Sequence, residues 1–168
     1  MKKLLIAAAL MVLPLSAFAQ TWPVNGPIRV CEPTGNCDRG NFAFNFEGEG
    51  VTVSLQALGL TLNPETGKWE GRGAFEVRDQ NTGAQIVIDH LASFAIAVVA
   101  INAGTECVYQ KAVSSISVSG EAVGAGQFFS LSAVRGPESS FFGCAEARLV
   151  GSLTVAQGKG NARKAARR

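Results

Sequence analysis

The sequence predicts an all-β fold: a single-domain antiparallel meander of about eight strands, closed as a barrel or folded as a two-sheet sandwich. Three observations predict it. Apolar and polar residues alternate in short runs, turn signals separate those runs, and nineteen glycines are spread through the 168 residues. Alternation with period two suits a half-buried strand, because successive side chains point to opposite faces. Helical periodicity is hard to find beyond the first twenty residues.

The chain starts with MKKLLIAAALMVLPLSAFAQ. Lys2 and Lys3 supply a positive start, an apolar run follows from Leu4 to Leu15, and Ala17-Phe18-Ala19 is a small-x-small cleavage site. This is the pattern of an export signal, residues 1–19, with the product starting at Gln20. The apolar run is short for a membrane span of about 20 residues, and no Cys follows the cleavage site to carry a lipid. The longest later apolar run, Leu91 to Ile101, suits a buried strand better than a bilayer crossing. No transmembrane segment is therefore expected after cleavage. The expected locale is the periplasm or the outside of the cell, which demand the same signal.

Strand signals fill residues 20–157. VTVSLQ, Val51 to Gln56, alternates, and so does ISVSG, Ile116 to Gly120. AEARLVGSLTV places Ala145, Ala147, Leu149, Leu153 and Val155 on one face, opposite Glu146, Arg148, Ser152 and Thr154. NPETGK, Asn63 to Lys68, and DQNTGA, Asp79 to Ala84, are tight-turn sequences. Each ends in a Gly that accepts the left-handed conformation closing a turn. Between them KWEGRGAFEVRD is one strand long. Gln85 to Ala103 reads as one long strand, as two strands with a bend, or as a strand and a helix, and its β-branched residues favour strands. GEAVGAGQ, Gly120 to Gln127, reads as a connection, followed by the strand FFSLSAVRG. RGPESS, Arg135 to Ser140, breaks the chain before the last strand. An outer-membrane barrel is a poor fit, because it needs an aromatic girdle that this chain does not supply.

Charge is unevenly placed. Residues 20–157 carry eight Lys and Arg against thirteen Asp and Glu, while the tail GKGNARKAARR, residues 158–168, carries five cations and no acid. An overall pI of 8.4 describes neither part. Lys159, Arg163, Lys164, Arg167 and Arg168 could contact an anionic surface such as lipopolysaccharide or phospholipid headgroups. The bland reading is a solvated, disordered end. Nucleic acid is not the expected partner, since no aromatics interleave with the charges.

Four cysteines in a short exported chain suggest two disulfides. The pairing Cys31–Cys37 with Cys107–Cys144 follows if Pro33-Thr34-Gly35 forms a three-residue hairpin loop, which sets Cys31 opposite Cys37. Chain entropy assigns about 2 kcal/mol to the small loop and about 4 to the large one. Zinc favours closer pairs, or Cys with His, and the single histidine is His90. No Cys-x-x-Cys redox pair is present. No cofactor or metal is expected.

Candidate chemistry is sparse. Asp89-His90, with Ser93 nearby, is the one place a histidine mechanism could start. Neighbours on a strand face opposite ways, so Asp89 would not orient His90. Glu47 with Glu49, and Glu70 with Glu76 beside Trp69, supply paired acids without the spacing that specifies a glycosidase. Glu32, Asn36 and Asp38 could hold calcium but lack the EF-hand spacing. Gly71-Arg72-Gly73 lacks the further Gly and Lys of a phosphate loop. No catalytic residue is assigned. Phe42, Phe44, Phe46, Phe75, Phe94, Phe128 and Phe129 could line a cavity in a small barrel or fill its core.

The leading expectation is an exported non-enzymatic β-protein that binds an apolar small ligand or a cell-surface partner, such as a cell-envelope component. One alternative is an exported enzyme acting on a glycan or a hydrophobic metabolite. Another is a structural or adhesive surface protein assembling through sheet edges. N-terminal sequencing of the exported product is expected to begin at Gln20. A product that retains Met1 would remove the export reading.

Overall fold

The computed structural model describes residues 19–27, 30–31, 39–100, 111–122, 126–136, 139–141, 144–146 and 148–157. Twelve strands form in chain order: β1 (Ala19–Pro27), β2 (Val30–Cys31), β3 (Phe42–Gly48), β4 (Val51–Ala57), β5 (Thr61–Asn63), β6 (Lys68–Asp79), β7 (Gln85–Ala100), β8 (Lys111–Ala122), β9 (Gln127–Arg135), β10 (Ser139–Phe141), β11 (Cys144–Glu146) and β12 (Arg148–Gln157). Eight of them pair antiparallel around a ring, β1-β3-β4-β6-β7-β8-β9-β12, and β12 returns to β1. The expected meander is therefore a closed barrel rather than a sandwich. β2 and β5 extend its rim, and β10 and β11 form a separate hairpin.

Alternation in the sequence becomes inside and outside. In β3, Phe42, Phe44 and Phe46 are buried while Ala43, Asn45 and Glu47 are exposed. β4 buries Val51, Val53, Leu55 and Ala57, and β9 buries Phe129, Leu131 and Ala133. An eight-stranded barrel is just wide enough for side chains to fill, and here apolar side chains fill it. Phe75 and Phe129 stack in parallel with ring centroids 4.4 Å apart. Phe46, Phe44, Phe42 and Trp69 form a column with centroids 6.2 to 6.4 Å apart. Residues lining a water-sized cavity would expose surface to it, yet Phe46, Phe75, Val118 and Leu131 each expose 1 %.

Small residues let the strands bend this tightly. A Cβ at Gly120 would lie 2.2 Å from Asp89 Oδ2 and 2.7 Å from the Phe129 ring. Glycine there makes room for the one buried charged side chain among the described residues. The two tight turns share one design. Asn63 Oδ1 accepts the Glu65 N–H at 2.9 Å, and Asp79 Oδ1 accepts those of Asn81 and Thr82 at 2.9 and 2.8 Å. Gly67 and Gly83 close the turns at φ near +70°, where a Cβ would be strained.

Of the three readings of the segment from Gln85, the single long strand holds through Ala100, with register shifts against β6. Two other expectations are corrected. AEARLVGSLTV is divided between β11 and β12, so Ala145 does not share a strand with Leu149. Phe128 is not in the core: its outward parity on β9 leaves it 52 % exposed.

The two ends of the barrel differ. The turns at Glu49-Gly50 and Gln80–Ala84 lie at one end. The C-terminal ends of β1, β4, β7 and β9 lie at the other end, as the antiparallel order requires. Cys37, Cys107 and the tail residues 158–168 lie outside the described residues, as do Glu32, Asn36 and Asp38. Cys31 and Cys144 are placed only as backbone positions in β2 and β11.

Removing the Phe75 ring is expected to open a cavity and cost about 3–5 kcal/mol in a denaturant titration of Phe75→Ala. Ser132→Ala, on the outer wall, is expected to change stability by no more than about 0.5 kcal/mol.

Candidate functional site

With its lumen packed, the barrel offers its outer wall as accessible surface. Pro27 and the outer faces of β3, β4, β6 and β7 border a hollow of ≈ 510 Å³. Its polar rim includes Asn45, Ser54, Gln56, Glu76 and His90, and Ala43, Ala74 and Ile88 give it an apolar floor. Ser54 Oγ donates to Asn45 Oδ1 at 3.0 Å. Gln85 Nε2 donates to Glu76 Oε1 at 3.1 Å, and Arg78 forms an ion pair with the same carboxylate. Glu76 is therefore held by neighbours on β6 and β7.

His90 reaches this rim through a bulge. Gly73 pairs with Ala92 and Phe75 with Asp89, so Ala74 alone faces both His90 and Leu91. Two residues opposing one bend a strand locally and redirect its side chains. Both His90 and Leu91 consequently point outward. Asp89 Oδ1 accepts the Leu91 N–H at 2.8 Å, and Arg72 Nη1 donates to the Leu91 carbonyl at 2.8 Å. Asp89 itself points into the barrel, 7 % exposed. It shapes the bulge that carries His90 and does not face the imidazole. Ser93 is exposed one strand pair further along β7.

The paired acids separate. Glu70 and Glu76 share the outer face of β6 but stand six residues apart, about 20 Å along a strand. A carboxylate pair for glycoside hydrolysis stands within about 10 Å. Trp69 points the other way, with its ring 6.4 Å from Phe42. Glu47 lies on β3 whereas Glu49 sits in the following turn, so the two do not share a strand face. Both border a second hollow of ≈ 490 Å³ beside Pro23, Gln80 and Val150. No group of three or more His, Cys, Asp and Glu comes together among the described residues. Gly71-Arg72-Gly73 lies within β6, and its arginine is bonded to the backbone of β7.

Asn45, Ser54 and Gln56 have the outward parity of β3 and β4. None carries distinctive chemistry alone, so no motif marks them in the sequence. Comparison with family models, with curated proteins and with solved structures finds no match for this chain.

Two half-buried carboxylates have specific partners. Hydrogen bonds from Asn63 Nδ2 at 3.0 Å and Thr66 Oγ1 at 2.9 Å hold the Glu70 carboxyl below its ordinary range. The backbone N–H of Thr82, followed by its hydroxyl, does the same for Asp79. A carboxyl with a lowered folded pKa binds fewer protons in the folded than in the unfolded state. Its contribution is present above the unfolded pKa, about 3.9 for Asp and 4.3 for Glu, and is lost as pH falls through the folded value. The thermal midpoint is therefore expected to drop on acidification below about pH 4. Asp79→Asn should flatten that drop while holding the turn at neutral pH, because Asn63 already caps the equivalent turn with an amide oxygen. Parallel melts across pH, with an unchanged acid slope in Asp79→Asn, would contradict this.

Proposed function

We propose that this chain is an exported, non-enzymatic barrel that binds a cell-surface partner through its outer wall. The observation that carries this reading is the filled lumen. Phe75, Phe129 and the column from Phe46 to Trp69 occupy the space that a carrier would give to an apolar ligand. Ring closure through β8 and β9 removes the two long edges of an open sheet, which weighs against assembly by edge pairing. Outward positions on β8 and β9 such as Ser117, Ser119, Ser130 and Ser132 are exposed hydroxyls. A lipid-facing band would need apolar residues there. Export rests on the Lys2 to Ala19 segment.

Native mass spectrometry of the mature chain, together with co-sedimentation on isolated cell envelopes, tests the proposal. The expected result is a mass equal to the polypeptide alone and retention on the envelope fraction. A small molecule released only on denaturation would restore the carrier reading. An empty protein that ignores envelopes would overturn surface binding.

A further inference from the structure

The outer surface of this barrel is divided by chemistry. On β6 and β7 the outward positions include Lys68, Glu70, Arg72, Glu76, Arg78 and His90. On β8, β9 and β12 the pattern changes. Between Glu121 at one end and Arg148 at the other, the outward positions of these three strands carry no charge among the described residues.

Register aligns the hydroxyls of this wall in rows. Ser119 pairs with Ser130, Ser130 with Thr154, and Thr154 with Thr21. One level along, Ser117 pairs with Ser132 and Ser132 with Ser152. Thr21 and Thr154 hydroxyls lie 3.0 Å apart, and most of the rest face solvent. Apolar side chains border the rows at both ends. Phe128 is 52 % exposed on one side, where it pairs with the exposed Glu121 that bounds the uncharged wall, and the paired Val134 and Val150 are 53 % and 39 % exposed on the other.

We infer that the β8–β9–β12 wall is a docking surface for an uncharged, polyhydroxylated polymer, a neutral glycan, with Phe128 as its stacking platform. The inference rests on the surface-binding proposal above and names the wall and the partner chemistry. Absence of charge selects against anionic lipids and nucleic acids, which recruit Lys and Arg. Hydroxyls that both donate and accept match a partner made of hydroxyls. They recur at the ~4.8 Å strand spacing, comparable with the length of one sugar ring. An exposed aromatic ring offers apolar area to the C–H face of a sugar at little conformational cost.

Patch size favours a polymer over a second copy of this chain. Three strands at ~4.8 Å and outward residues every ~6.6 Å cover roughly 400 Å². A standard protein interface buries about 800 Å² on each partner. A small patch suits a weak contact repeated along a chain-like ligand.

The test is co-sedimentation of the mature chain with insoluble cellulose, chitin and β-1,3-glucan at about 0.15 M and 1 M salt. Retention by at least one polymer is expected, with little change at high salt, since no ion pairs contribute. Phe128→Ala with Ser130→Glu should weaken retention about tenfold or more. Thr61→Ala on β5, away from this wall, should leave it unchanged, and circular dichroism should show both variants folded. Retention that survives Phe128→Ala with Ser130→Glu would overturn the assignment of the wall. A dimer broken by those substitutions would overturn the glycan in favour of self-association. Binding to whole envelopes without binding to any neutral polymer would overturn the glycan and leave surface binding standing. Binding to neither would overturn both.

Discussion

The width of a closed eight-stranded sheet governs the rest of this structure. Once β8 pairs with β9, the interior has a fixed cross-section, and the stacked rings of Phe75 and Phe129 occupy it. Every inward position must then fit what those rings leave. Gly120 is one consequence: the carboxylate of Asp89 and the edge of Phe129 take the volume a Cβ would need. Gly151 answers a different constraint, the close approach of β9, since a Cβ there would meet the Ser132 carbonyl oxygen at 2.0 Å. The lumen contributes cohesion, and under the surface-binding proposal recognition falls to the outside.

The outside is not uniform, and the difference follows strand order. Charged residues gather on the hairpin of β6 and β7, where Glu70, Glu76 and Asp79 are engaged by neighbouring side chains or turn amides. Hydroxyls gather on β8, β9 and β12. One scaffold thus presents two chemically distinct walls. The His90 bulge and the ≈ 510 Å³ hollow belong to the first, and the serine rows belong to the second.

Local features were readable from the sequence. KWEGRGAFEVRD gave both ends of β6, because NPETGK and DQNTGA enclose it with turns whose capping side chains and glycines act within six residues. Outward parity of His90 against Asp89 was readable for the same reason. Pairing between distant strands was not. Nothing local tells β8 to meet both β7 and β9, and that choice separates a barrel from a sandwich. The extra residue at His90-Leu91 was hidden too, because a bulge shifts parity by one and makes a long strand resemble two. Phe128 and Phe129 are adjacent and identical, and only register separates the core ring from the exposed one. The serine rows were invisible for a related reason: each row draws its members from residues far apart in the chain.

The joint between β1 and its neighbours bears on how the molecule comes into being. β1 pairs with β12 along its whole length, from Ala19 opposite Ala156 to Pro27 opposite Arg148, but among the described residues it forms two ladder pairs with β3. The first strand is therefore held chiefly by the last. Contacts of such long sequence separation form late and slowly, because the intervening loop must be closed before they contribute. A chain emerging from its N-terminus cannot complete this ring until its final strand has appeared. If the chain is exported as proposed, that delay is an advantage: the topology itself would postpone the closed state until translocation is almost over.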